Sequence, residues 1–380
     1  MSINNDQASL ELHRQLQGKL LVKSKSAITS REDLALVYTP GVAAVSRLIA
    51  ADKEQARQYT IKGNTIAVIS DGSAVLGLGN IGPEGAMPVM EGKCALFSEF
   101  AGVNAFPLCL ATQDTEEIIK TVKYLAPSFG GINLEDISAP RCFEIEARLK
   151  EELDIPVMHD DQHGTATVVL AGLINALRLK DLSPELAKVV ISGAGAAGLA
   201  IAELLYKYGF RQLIISDSQG AIYEGRAGLN PAKERLAKLS NPEKLAGPLE
   251  TIIQGAQVFI GVSVPKALSP AMIKTMAPRP IIFALANPEP EIMPELAQQA
   301  GALIVATGRS DYPNQVNNVL AFPGIFRGAL DNQVKQITDT MLIRAAENIA
   351  SLVVEPRVDQ ILPPALDKQV AVVVAQAIKD

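Results

Sequence analysis

Short apolar runs closed by polar turns alternate along most of this chain with longer stretches whose apolar positions fall three and four residues apart. The first pattern predicts buried strands and the second predicts helices. Residues 64–70 (NTIAVIS), Phe106 to Leu110, the run GINL from Gly131 and the run IPVM up to Met158 are the first strands. Helical spacing covers residues 9–22, the stretch after Pro83, residues 114–125 and about 140–152. Asp114 with Glu117 three positions later predicts a capped helix start. Parallel strands need a crossover and helices supply it, so the alternation predicts an α/β fold.

Two of these strands end in acid. GINL runs into Glu135-Asp136, and IPVM runs into Asp160-Asp161. Parallel strands joined by one helix finish at the same sheet edge, so four carboxylates are expected at one crevice. Such groups repel each other and resist losing water. A divalent cation resolves the conflict, and oxygen ligands without a nearby Cys or paired His favour Mg²⁺ or Mn²⁺. The blander alternative, Asp161 as the N-cap of the long helix that follows, would lead for a single acidic pair but not for two at matching strand ends. His159 and His163 flank the second pair and are expected to make structural hydrogen bonds.

Lys93 falls inside an apolar helix among Met90, Leu96 and Phe97, which demands a carboxylate partner or a neutral amine, unless it snorkels at a rim. Tyr38 precedes Thr39-Pro40-Gly41, a turn that either holds a phenol at a loop edge or simply packs over it. The glycines Gly77 and Gly79 lack the full dinucleotide spacing.

From Lys188 the strands and helices shorten and alternate again. A strand leads into Gly193-Ala194-Gly195-Ala196-Ala197-Gly198, a helix follows, and the next strand ends in Asp217 about twenty residues further on. Strand, glycine triplet, helix and terminal acid together predict a dinucleotide site, with the pyrophosphate at the helix N-terminus and Asp217 on the adenosine ribose. Lys207, Arg226 and Lys233 lie close enough in sequence to favour NADP; the acid itself favours NAD, which is the expectation. Further strand–helix units (QVFIGVS, PIIFALANP, ALIVATG) predict a doubly wound parallel sheet. Asn287 ends one of them at the crevice, and Asn317-Asn318 follow a loop. Helices from about Gln333 to Val353 and Pro364 to Lys379 are expected to return to the first domain. The boundaries read as 1–163 for a catalytic and metal domain, 164–318 for a Rossmann domain and 319–380 for the returning helices.

Composition narrows the functions. With 48% hydrophobic residues, 20% charged residues and a net charge of −6, the 380 residues suit a globular protein with a large core and no nucleic-acid partner. The three cysteines lack ligand spacing and read as reduced core thiols. The polar N-terminus is no signal peptide, and Val189 to Leu205 is too short and too interrupted to span a membrane, so a cytoplasmic protein is expected.

The segments YTPGV, MEGKCALF, LEDI, HDDQHGTA, the glycine-rich loop, ALANPEPE and NNVLAFPG stand in the order found in malic enzymes. The resemblance covers nearly the whole chain and is nearest to the short bacterial form. It implies oxidative decarboxylation of L-malate to pyruvate and CO₂ with NAD or NADP, in a homodimer. By resemblance Glu135, Asp136 and Asp161 match the metal ligands, and Lys93 matches the general base, its pKa lowered by the metal and burial. Asp160 matches its paired carboxylate, Tyr38 the general acid, and Asn287 and Asn318 the contacts to the substrate carboxylate. Longer eukaryotic forms carry an Arg just before the ILGLG loop; here Ser73-Ala74-Val75 fills the slot, and backbone amides near Ser73 are the expected substitute. An oxaloacetate decarboxylase on the same scaffold, an amino-acid dehydrogenase and a metabolite-sensing protein are the competing expectations. The acidic quartet argues against the dehydrogenase. The pairing of Tyr38 with Lys93 argues against a mere sensor.

Overall fold

Four parallel strands make the first sheet: β1 (Thr65–Ser70), β2 (Asn104–Cys109), β3 (Gly131–Leu134) and β4 (Val157–His159), in the order β2-β1-β3-β4. The computed structural model describes residues 5–75 and 77–379. Residues 1–4, where the polar N-terminus begins, lie outside the described residues. Every residue of β1 and β3 is buried, as expected of strands covered by helices on both faces. The helices Thr115–Leu125 and Arg141–Glu152 cover one face through Ile118, Val122, Ile145 and Leu149. Asp114 caps the first of them through the Glu117 N–H at 2.9 Å.

The second sheet holds β5 (Lys188–Ser192), β6 (Gln212–Asp217), β7 (Gly220–Ala221), β8 (Val258–Gly261), β9 (Ile281–Ala284) and β10 (Ile304–Thr307). Their order is β10-β9-β8-β5-β6-β7, parallel except for the short β7 at the edge. From β5 the chain goes first to β6 and later to β8 on the other side. The strand order therefore reverses between β5 and β8, and ligands of such sheets lie at that crevice. This is the doubly wound arrangement that the alternation implied.

The two sheets are not separate cores. The helix Asp160–Lys180 starts at the end of β4 and runs toward β5, buried on nearly every side. One apolar cluster joins Ile66, Met90 and Phe97 to Val189, Ile191 and Leu205. A division at residues 163 and 164 thus falls inside a continuous helix. The sequence pattern gives this long helix after Asp161 and a change of rhythm at Lys188, but not that the helix joins both cores.

The C-terminal helices do return to the first half. Phe322–Asp331 brings Phe322 and Phe326 edge-on to Phe97, with ring centroids 4.8 and 5.5 Å away. At the other end the first helix is Asn5–Leu16, shorter than the pattern implied, because Gln17 and Gly18 adopt positive φ (55° and 107°). Farther on, Arg31–Val37 and Val42–Ala51 have no buried residue. Among the described residues Arg31–Ala51, not Val189–Leu205, is the stretch long and apolar enough to cross a membrane by length and composition. Thr39-Pro40-Gly41 splits it into two short helices, which leave Leu34, Leu36, Val37 and Leu48 exposed.

Candidate active site

Leu134 and His159 are register partners at the ends of β3 and β4, so the acidic pairs do emerge side by side. Glu135, Asp136 and Asp160 are buried, and Asp161 is 34% exposed. Asp160 and Asp161 occupy the first turn of the Asp160–Lys180 helix, where the helix dipole favours negative charge. Asp161 is not the cap; its carboxylate accepts the Asp136 N–H at 2.9 Å and ties one acidic pair to the other.

Lys93 reaches this edge from the helix Gly82–Ala101. Its Nζ lies 2.9 Å from Glu135 Oε1, pairs with Asp160 Oδ2 and sits 4.0 Å above the Phe322 ring. Asn133 donates to the other Glu135 oxygen at 2.8 Å, and Asn318 donates to Asp160. Lys93, Asp160, Glu135 and Asn318 are therefore brought together from four separate segments. Burial pulls the Lys93 ammonium down, but the Asp160 and Glu135 carboxylates outweigh it and raise its pKa. The lowering expected from the sequence presupposes a metal ion beside the amine; burial contributes to it here, and the two carboxylates oppose it.

One ammonium faces the Glu135, Asp160 and Asp161 carboxylates. Burial raises Glu135, with the Asp161 charge adding to the rise. Burial likewise raises Asp161, and pushes Asp160 up to about 8 although Lys93 opposes it. The excess of hard, oxygen-rich negative charge suits a divalent cation in preference to a softer metal. Among the described residues, no three His, Cys, Asp or Glu side chains already stand together as a ligand set. The donor chemistry fits such an ion, and side-chain rotation would have to complete the cage.

The histidines divide. His163 Nε2 lies 3.0 Å from Glu146 Oε2, the structural bond expected of it. The His159 ring is fully buried, its Nδ1 3.9 Å from Asp161 Oδ2, and burial lowers its pKa although the Glu146 and Glu135 charges and a backbone contact at Ile137 oppose this. Sequence reasoning missed Glu146, a buried acid on the helix Arg141–Glu152 that accepts the His159 N–H at 2.9 Å and pairs with Lys150 at 2.8 Å. Its apolar neighbours at helical spacing gave no hint of a charge among them. Burial opposes its ionisation, yet His163 and Lys150 hold it well below the usual carboxylate range. A depressed pKa stabilises the fold fully above the unfolded value of 4.5 and loses that contribution as pH falls below it. The Tm deficit of Glu146→Gln is accordingly expected to be widest near neutrality and to shrink below pH 4.5, which a thermal-melt series across pH measures.

The slot before the glycine loop is closed. Ser73 donates its N–H (3.0 Å) and hydroxyl to Asp71, while Ala74 N–H bonds Asp136 O at 2.9 Å and Val75 N–H bonds Gly79 O at 3.0 Å. These amides are spent within the protein, so the substrate contact expected at Ser73 is not offered by them. Ser73 instead brackets Asp71, whose other oxygen binds Arg141 at 2.7 Å, to the Ser138 N–H at 2.9 Å. Tyr38 stands apart, 67% exposed, as the C-cap residue of Arg31–Val37, and its phenol bonds no described residue.

The glycine triplet has the shape its spacing predicted. Gly193 has φ 111°, and a Cβ there would lie 2.5 Å from Val262 O. At Gly198 a Cβ would lie 1.8 Å from Gly193 O, which is why the helix Ala196–Tyr208 packs so near β5. A Cβ on Gly195 would meet nothing within 4 Å. Open space thus lies before the free N–H groups of Ala196 and Ala197, a cradle that fits a pyrophosphate. Asn287 lies on the turn just beyond β9 and faces two glycines. Its carbonyl is 2.3 Å from where a Gly77 Cβ would stand, and its Nδ2 is 2.8 Å from that of Gly308. Gly77 is therefore part of the crevice wall, although it lacks dinucleotide spacing.

Residues 17–150 match the malic enzyme N-terminal domain, and residues 162–380 match the malic enzyme NAD-binding domain. The chain is 57% identical to the bifunctional malic/malolactic enzyme of Bacillus subtilis, covering 97% of this chain and 91% of that one. It is also 57% identical to the NAD-dependent malic enzyme of Geobacillus stearothermophilus over 95% of this chain and 76% of that one. The NAD-dependent malic enzyme from Thermotoga maritima has a crystal structure that superposes with a TM-score of 0.95 at 53% identity, covering 98% of both chains.

Proposed function

The chain belongs to the malic enzyme family, and on that premise we propose that L-malate is oxidised and decarboxylated to pyruvate and CO₂ at the Lys93 cluster, with reduction of NAD(P). The observation that carries the site is Lys93 Nζ, buried and shared between Asp160 and Glu135 at the crevice edge. In this reading residues 1–163 supply most of the catalytic groups, residues 164–318 the dinucleotide site, and residues 319–380 the returning helices that carry Phe322.

Glu135, Asp136 and Asp161 would hold Mg²⁺ or Mn²⁺, which supplies acidity to the C2 hydroxyl and an electron sink at the C2 carbonyl. NAD(P) would accept the C2 hydride, its pyrophosphate resting against Gly193, Gly195, Ala196, Ala197 and Gly198. Lys93 takes the hydroxyl proton. It does so only when neutral, and two carboxylates now hold its proton. Committing Glu135 to a cation takes one of them away. Asp160 then fixes the amine, and Asn318, bonded to Asp160, fixes the carboxylate in turn. Asn287 and Asn318 present amide donors to the substrate carboxylate. Tyr38 protonates C3 of the enolate.

Tyr38 is exposed on a helix pair with an uncovered apolar face. That supports a homodimer in which this segment is covered by the second copy and Tyr38 serves the partner's site. The same occupancy accounts for the apolar stretch Arg31–Ala51 in a soluble, cytoplasmic enzyme.

The test is absorbance of the reduced nicotinamide with purified protein, L-malate and Mn²⁺, run with and without chelator. Malate-dependent reduction that chelator abolishes is expected. Oxaloacetate consumption without any reduction would overturn the reading in favour of a decarboxylase on the same scaffold.

A further inference from the structure

Two acids close the carboxyl edge of the second sheet, and their charges are met differently. Asp217, at the end of β6, accepts Arg226 Nη1 at 2.9 Å, Lys233 Nζ at 2.7 Å and the Gln219 N–H at 3.0 Å. Glu291, on the loop after β9, is 0% exposed, and among the described residues no lysine or arginine pairs with it. Burial pushes its pKa up, and the Ser263 and Ala286 N–H groups oppose the rise. Two donors offset part of the cost of burying this carboxylate, and no cation offsets the rest.

Each oxygen of Glu291 holds a different strand end. Oε1 accepts the Ser263 N–H at 2.9 Å, just beyond β8, and Oε2 accepts the Ala286 N–H at 3.0 Å, just beyond β9. β8 ends in Gly261, and a Cβ there would lie 2.3 Å from Glu291 Cδ, so the carboxyl group fills the room this glycine leaves. The Ser263 side leads to the dinucleotide loop. Ser263 Oγ lies 3.1 Å from Ser192 Oγ, and a Cβ on Gly193 would lie 3.3 Å from Ser263 Cα. The Ala286 side leads to Asn287, the next residue, which lines the crevice against Gly77 and Gly308. Lys266 N–H to Pro290 O (3.3 Å) and Leu268 N–H to Glu291 O (3.1 Å) anchor the segment that carries the acid.

We propose that Glu291 is a positioning residue that sets the spacing between the dinucleotide loop and Asn287. Its two oxygens tie two turns to one rigid group, one turn beside each ligand. Without the carboxylate each turn keeps its own ligand contacts, but the distance between them drifts. Hydride transfer from C2 of malate to the nicotinamide depends on that distance, because it joins the two ligands. A misplacement of about 1 Å can cost such a step about a hundredfold. Decarboxylation of oxaloacetate takes place at the Lys93 cluster and does not depend on it. That role rests on the malic-enzyme reading for the identity of the two ligands.

Two variants test it. Glu291→Gln offers one acceptor oxygen where two are needed, and Gly261→Ala pushes the carboxyl group aside while leaving its charge. Malate oxidation, with C2-protonated and C2-deuterated malate, and oxaloacetate decarboxylation are measured at saturating substrate with Mn²⁺. NADH is titrated by nicotinamide fluorescence, and thermal melts report folding. In both variants kcat for malate oxidation is expected to fall about ten- to a hundredfold. The deuterium effect should grow, because hydride transfer becomes the slow step. Oxaloacetate decarboxylation and NADH affinity should stay close to wild type. An equal fall in both reactions, an unchanged deuterium effect, or loss of NADH binding in step with activity would overturn the proposal and leave the malic-enzyme reading intact. Variants that do not fold would overturn it as well, since Glu291 would then serve the fold and not the spacing. A folded wild type that neither oxidises malate nor decarboxylates oxaloacetate would overturn the malic-enzyme reading and the proposal with it.

Discussion

Replacing Lys93 by Ala is expected to lower kcat for malate oxidation by about 10²–10⁴, the usual worth of a general base. The loss should fall on kcat more than on KM, because the amine acts on the hydroxyl proton in the transition state and is not the main substrate anchor. A second effect follows from the geometry. Among the described residues Lys93 is the one cation paired with the buried Glu135 and Asp160, so its removal leaves two carboxylates facing each other without a counter-charge. Breaking a buried pair from one side costs about 3–5 kcal/mol when the remaining charge stays ionised. Here Asp160 can take a proton instead, and its pKa, already pushed up to about 8, would rise further. The melting temperature of Lys93→Ala should therefore drop by less than a full buried-pair loss, and Mn²⁺ should restore part of it. Near-native turnover with intact metal binding would remove Lys93 from the proposed mechanism.

Gly198→Ala is expected to cost both stability and dinucleotide affinity. The new methyl would lie 1.8 Å from the Gly193 carbonyl oxygen, a backbone atom that cannot swing aside. Gly193 is itself confined, since its own Cβ position lies 2.5 Å from Val262 O. The helix Ala196–Tyr208 must then move away from β5, carrying the N–H groups of Ala196 and Ala197 with it. Overpacking of this kind costs about 1–3 kcal/mol, and each 1.4 kcal/mol of misplaced phosphate contact is about tenfold in affinity. A thermal melt and an NADH titration read the two effects separately. Unchanged affinity would mean that the helix N-terminus does not hold the pyrophosphate.

These two sites were legible in the sequence for different reasons. The glycine triplet declares itself because each glycine answers a steric demand that its neighbours fix locally. Glu135-Asp136 and Asp160-Asp161 could be paired because one crossover helix separates their strands and handedness leaves no choice of edge. Lys93 was visible only as a misfit in an apolar helix. Its partners come from segments far along the chain, and nothing in its own surroundings named them. Glu146 and the Asp71–Arg141 pair were not legible at all, and of the saturation of Asp217 only the nearness of Arg226 and Lys233 was. Each depends on a side chain from another element arriving at hydrogen-bonding distance, which periodicity does not encode. The first helix was carried too far because Gln17 and Gly18 turn the chain by backbone conformation alone. The uncovered face of Arg31–Ala51 also escaped the pattern, since apolar spacing does not say whether a surface is covered by its own chain or by another.

The helix Asp160–Lys180 bears on how the molecule comes apart as well as on how it works. Its first turn carries two of the acidic groups, and its later turns pack against Ala196–Tyr208, the helix of the dinucleotide loop. A chain with two independent cores can melt one half while the other survives, as loosely joined domains do. Here a rigid rod runs through both, and neither sheet can lose its packing without uncovering apolar surface that the other needs. Cooperativity of unfolding and integrity of the catalytic edge are thus properties of one helix.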